Sequence, residues 1–173
     1  TAKVNNMSFM FETAIAFNQN INSWNTAEVI QMQNMFKGAT VFNGTITSWN
    51  TAKVTNMENM FSSADAFNQN IDSWNTAIVT NMKSMFYNAI SFDQDITTWD
   101  LNSINSINSI TDMFNSRLAN DKFRHLNPTG TGSTHSLSTT RQYILYVDTG
   151  ITPKKIKYYL PIRDTKVGTI HTD

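Results

Sequence analysis

The sequence predicts an α/β fold: a short right-handed solenoid of 25-residue strand-plus-helical-turn coils with a parallel sheet, followed by a small β-rich C-terminal segment. Three observations predict it. Apolar and aromatic residues recur in register every 25 positions. Each 25-residue unit divides into a helix-spaced half and a strand-like half. Composition and charge then change near residue 116.

The repeat is read directly from the residues. Phe11, Phe36, Phe61 and Phe86 are 25 apart, and so are Trp24, Trp49, Trp74 and Trp99. These two columns form the predicted repeat core. Met10, Met35, Met60 and Met85 keep the same step, as do Phe17, Phe42, Phe67 and Phe92. The units run from about 1–25, 26–50, 51–75 and 76–100, with a capping half-repeat over 101–116. Stacked units of this kind bury one continuous core that no single unit could bury alone.

In the first half of a unit, Val54, Met57, Met60, Phe61 and Ala64 lie close to one stripe of a helix. A short helix is expected from Val54 to Ala64, with Thr55 or the polar residues before it as cap. In the second half, Phe67, Ile71 and Trp74 sit among Asn and Asp. A strand is expected around Asn70 to Trp74, entered and left by turns. Near the end of the array the step slips to 28: Ile107, Ile110, Met113 and Phe114 match Val79, Met82, Met85 and Phe86. The duplicated Asn-Ser-Ile accounts for three extra residues. The first unit has no polar cap before it, so more repeats, or a partner, are expected upstream.

Residues 117–140 read as a linker or long loop, rich from Asn127 to Thr140 in Gly, Ser and Thr. Residues 141–173 read as a β-rich appendage with strands over 143–147, 156–160 and 167–170 and a turn at Asp148-Thr149-Gly150. Residues 1–116 carry 4 Lys against 9 acidic residues, and residues 117–173 carry 9 Lys or Arg against 4 acidic ones. The balances are therefore −5 and +5, although the whole chain nets +0.

The repeat unit, "VTNMENMFSSADAFNQNIDSWNT" from Val54 to Thr76, resembles the repeat of unknown function in mycoplasma surface lipoproteins. That repeat is related to the BspA-type leucine-rich repeats of bacterial surface proteins, and occurs also in some microbial eukaryotes and large viruses. The paired Met-Phe, the Phe-Asn-Gln and the Trp-Asn-Thr carry the likeness over about residues 1–116. It implies a leucine-rich-repeat-like solenoid on a cell or particle surface, with adhesion or recognition as its role and no catalytic residues. Gly44-Thr45 departs from the Gln-Asn of the pattern.

Several chemistries are excluded or disfavoured. With no cysteine there is no disulfide, thiolate site or cysteine nucleophile. No apolar run reaches transmembrane length, and Thr1 opens no signal-peptide pattern, so the chain reads as a processed product or an excerpt. Asp93, Asp95 and Asp100 share one unit but fall short of a calcium set. His125, His135 and His171 lack ligand spacing. No phosphate loop, dinucleotide fingerprint or nucleophile elbow occurs. No cofactor or metal is expected, and the chain is read as non-enzymatic.

The candidate ligand-binding residues are two polar columns: Asn20, Thr45, Asn70 and Asp95, and Asn22, Thr47, Asp72 and Thr97. On a strand face such columns point to solvent and suit protein or glycan. The alternative is that they satisfy turns and backbone. The Trp and Met columns read as core. Two functions follow: a surface recognition module, or a structural subunit that self-assembles through solenoid ends and tail. Neither nucleic-acid binding nor direct membrane insertion is expected. The location is extracellular, on a cell surface or on a virion or filament surface.

Overall fold

The repeats make their contacts without helix or sheet. The computed structural model of the protein describes residues 4–96, 98–110 and 112–113, together with the strands Gln142–Val147 and Ile156–Ile162. Among these residues the single helical element is the three-residue 3-10 turn Ile107–Ser109. The described residues of the repeats contain no strand, and isolated parallel bridges join Asn6 to Gln31, Gln31 to Asn56 and Asn56 to Asn81. The α/β solenoid with a parallel sheet is therefore not the architecture.

The expected helix is instead a run of tight turns. Met35, Lys37 and Ala39 donate their amides to Met32, Asn34 and Phe36, three residues back. The amides between them leave the repeat altogether. Met32, Asn34, Phe36 and Gly38 donate to the carbonyls of Asn56, Glu58, Met60 and Ser62 in the next unit, at 2.8–3.0 Å. A helix would spend all of these amides internally.

Backbone angles enforce the difference. The third residue of two successive turns takes a positive φ: Asn34 (58°) and Gly38 (71°), then Asn59 (54°) and Ser63 (56°), then Ser84 (53°) and Asn88 (58°). Left-handed residues of this kind break a right-handed helix, and Gly and Asn adopt them at least cost. The first repeat carries Phe9 (63°) and Thr13 (58°) at these positions. Their local preferences oppose that shape; their amides donate to Gln33 and Lys37 of the next unit, so the neighbour imposes it.

The predicted strand is a turn as well. Trp24, Trp49, Trp74 and Trp99 each donate their amide to the Ile three residues earlier. The Asn20 Oδ1 accepts from the Asn22 amide, and the Asn70 Oδ1 from the Asp72 amide. These side-chain bonds bend the chain where a strand would have run straight.

Burial nevertheless follows the repeat. Val54, Met57, Met60, Phe61, Ala64, Phe67 and Ile71 are all fully buried. Successive turns, like a helix, return every third or fourth residue to one side, so the apolar stripe is the same for both. Phe36 stacks on Phe61 at 5.6 Å and Phe61 on Phe86 at 5.7 Å, while Phe61 lies 3.8 Å from Phe67 in its own unit. Trp24, Trp49 and Trp74 form a parallel column at 6.5 and 6.3 Å. Past the fourth unit, Leu101, Ile104, Ile110 and Met113 are buried in the same core cluster as Phe86, Phe92 and Trp99. There Met82 and Phe86 donate to Ser109 and Met113, a step of 27 where earlier units use 24.

Farther along, β1 (Gln142–Val147) pairs antiparallel with β2 (Ile156–Ile162), from Gln142 opposite Ile162 to Val147 opposite Ile156, with a register shift at Tyr146/Val147. The expected linker, the turn at 148–150 and the strand at 167–170 lie outside the described residues.

The buried ring columns set a gradient of sensitivity. Phe61→Ala should cost about 3–5 kcal/mol, as core truncations of aromatics do. Phe11→Ala should cost less, because Phe11 is only partly buried; urea unfolding of both variants measures the difference. Gly44 gives a second case. A Cβ there would sit 2.1 Å from the Gln19 carbonyl oxygen. Gly44→Ala should destabilise by about 1–3 kcal/mol, the range for overpacking, read as a lowered thermal midpoint.

Candidate functional site

The two polar columns project from the turns that precede each Trp. Asn20, Asn70, Asp72 and Asp95 are exposed, and Asn22, Thr45 and Thr47 are half-buried. Thr97 lies outside the described residues. Much of this polarity holds the repeats together. The Asn22 Oδ1 accepts the Ser48 amide at 2.9 Å, and the Ser48 hydroxyl donates to the Asn22 carbonyl. The carbonyls of Thr47 and Asp72 accept the hydroxyls of Ser73 and Thr98. The Asn20 and Asn70 side chains are each fixed by one bond to the amide two residues on.

Three further ladders escape a reading based on solvent-facing columns. Thr26, Thr51 and Thr76 are buried, and their hydroxyls donate to the Asn50, Asn75 and Asp100 carbonyls, 24 residues and one coil farther along. The Asn43, Asn68 and Asp93 amides donate to the Oδ1 of Asn18, Asn43 and Asn68 one unit back, and Gln69 and Gln94 clasp Asn43 and Asn68. The indole N–H groups of Trp49, Trp74 and Trp99 donate to the carbonyls of Ile21, Ile46 and Ile71. Their signal was present in the Trp-Asn-Thr and Phe-Asn-Gln motifs, which recur at the 25-residue step with departures at Gly44, Asp93, Asp100 and Leu101. Thr55, expected as a helix cap, donates its amide and hydroxyl to the Ile30 carbonyl of the preceding unit.

Charge is sparse. Lys37–Glu12 (3.4 Å) and Lys53–Glu28 (2.8 Å) link neighbouring units at the surface, where such pairs contribute little. Burial raises the Asp65 carboxyl above its ordinary value. Among the described residues, no three His, Asp or Glu gather to hold a metal ion. None of their helices is long and apolar enough to cross a membrane.

The buried threonines offer a direct test of inter-unit bonding. Thr51→Val keeps shape but leaves the Asn75 carbonyl without its hydroxyl donor. A loss of about 1–3 kcal/mol in urea unfolding is expected, with an unchanged m-value.

No curated protein and no solved structure matches the chain. A family described as "Mycoplasma protein of unknown function, DUF285" matches residues 5–126. This match spans well over half of the 173 residues, and it covers the turns, rings and amide ladders that stack one repeat on the next. The chain belongs to that Mycoplasma DUF285 family.

Proposed function

We propose that this protein is a non-enzymatic recognition module, exposed at a cell surface, that binds protein or glycan through its polar turn column. One observation carries this reading: Asn20, Asn70, Asp72 and Asp95 are exposed at equivalent turns of stacked units. The turns are anchored by the buried residues Ile21, Ile71, Ile96, Trp74 and Trp99. Fixed polar groups lose little freedom on binding, which lowers the cost of recognition. Amides and carboxylates at regular spacing suit hydroxyl-rich or peptide ligands. Kinship with the BspA-type repeats of surface proteins belongs to the same proposal, as does an extracellular location; nucleic acid and membrane insertion do not.

A second reading is structural: copies assemble through repeat ends and the C-terminal tail. The partly buried Phe11, Phe17 and Trp24 of the first unit favour it, as does the −5 and +5 split of charge.

Screening the chain on glycan and matrix-protein arrays tests the first reading. Asp72→Ala and Asn70→Ala should weaken any ligand found by at least about tenfold. Asp72→Ala should leave the thermal midpoint near that of the parent. Unaltered binding by both variants would move the site away from this column.

A further inference from the structure

We infer that the outer face of the first unit is a docking site for one further repeat of this same family, presented by its amide-donating edge. The inference rests on the assembly reading and names its partner and polarity. Between units the hydrogen bonds have a direction. Amides of one unit, such as Met32, Asn34 and Phe36, donate forward to carbonyls of the next, Asn56, Glu58 and Met60. The equivalent carbonyls of the first unit are those of Asn6, Ser8 and Met10. No donor among the described residues reaches them. The converse holds for three amides of the first unit. Those of Asn5, Asn18 and Ser23 match those of Ile30, Asn43 and Ser48, which donate to Asn5 O, Asn18 Oδ1 and Asn22 Oδ1 of the unit before. The first-unit amides find no acceptor among the described residues.

The apolar side is equally incomplete. Phe11, Phe17 and Trp24 are partly buried, whereas Phe36, Phe42 and Trp49, their counterparts one unit on, are buried. Phe9 and Ile15 are 52 % and 65 % exposed. This face therefore continues the established contact between units in both its rings and its hydrogen-bond polarity. A repeat placed before it, such as residues 51–75, supplies three amide donors, the Asn68 Oδ1 for Asn18, an Asp72 carboxylate oxygen for Ser23, and rings for the Phe and Trp columns. A second copy turned face to face supplies rings, but it repeats the acceptor row instead of answering it.

The test adds one unit in register. Residues 51–75 are duplicated ahead of Thr1 in the full chain, because Thr76 and Thr1 hold equivalent positions. A composition-matched scramble of the same 25 residues is the control. Covalent linkage avoids the ordering entropy that a free peptide would lose. Trp24 is the least buried of the four Trp, so acrylamide quenching reports on it, with Trp24→Phe to confirm the assignment. The in-register unit should reduce the quenchable fraction severalfold and raise the thermal midpoint, while the scramble does neither. Equal quenching with both additions would overturn the inference. So would protection of Trp24 in the unmodified chain that grows with protein concentration, since a second copy would then be the occupant. Array binding through Asn70 and Asp72 is read in parallel, so this inference and the recognition reading fail separately.

Discussion

From residue 34 to residue 39 the backbone amides alternate between two destinations, and the rest of the structure depends on that alternation. One amide closes a turn inside the unit, and the next donates to the unit that follows. Each unit thus commits about half of these strong, obligatory groups to a neighbour. A single unit would leave its forward amides without partners and its rings in water. Stability is accordingly shared between units, as expected of a one-dimensional array in which each repeat contacts only its neighbours.

Side chains repeat the same division. Thr26, Thr51 and Thr76 donate forward to a carbonyl 24 residues on, while the Trp indoles donate backward to an Ile carbonyl. The Oδ1 atoms of Asn18, Asn43 and Asn68 accept the amides of Asn43, Asn68 and Asp93, one unit on. Ring stacking holds the columns in register but has no polarity along the array. The hydrogen bonds do, and they give the stack a distinguishable donor edge and acceptor edge. Leu101, Ile104, Ile110 and Met113 share one buried core cluster with the rings of the fourth unit, whereas Phe11, Phe17 and Trp24 of the first unit are only partly buried.

The polar columns gain their regularity from this scaffold. Asn20 and Asn70 hold their own turns, and Asn22 holds the turn after it. A residue can serve the fold and still present a fixed surface, because an exposed side chain fixed by one bond retains other polar groups for a ligand. Recognition through turns in place of a strand face changes the expected contact: it is a row of discrete points, one per unit, with no continuous sheet edge between them.

By itself the sequence determined the 25-residue period and the columns that line the core from the second unit onward; in the first unit Met10 is exposed and Phe11 and Trp24 are only partly buried. The period and the columns follow from identity at fixed spacing. Family kinship was likewise legible in Met-Phe, Phe-Asn-Gln and Trp-Asn-Thr. Only the tertiary structure decided the conformation. The stripe Val54, Met57, Met60, Phe61 and Ala64 fits a helix and a chain of turns equally well, because both return side chains to one face at similar intervals. The deciding quantity was where each amide finds its acceptor. That acceptor lies 24 residues away for Met57, Asn59 and Phe61, and local propensity carries no information about a partner so distant.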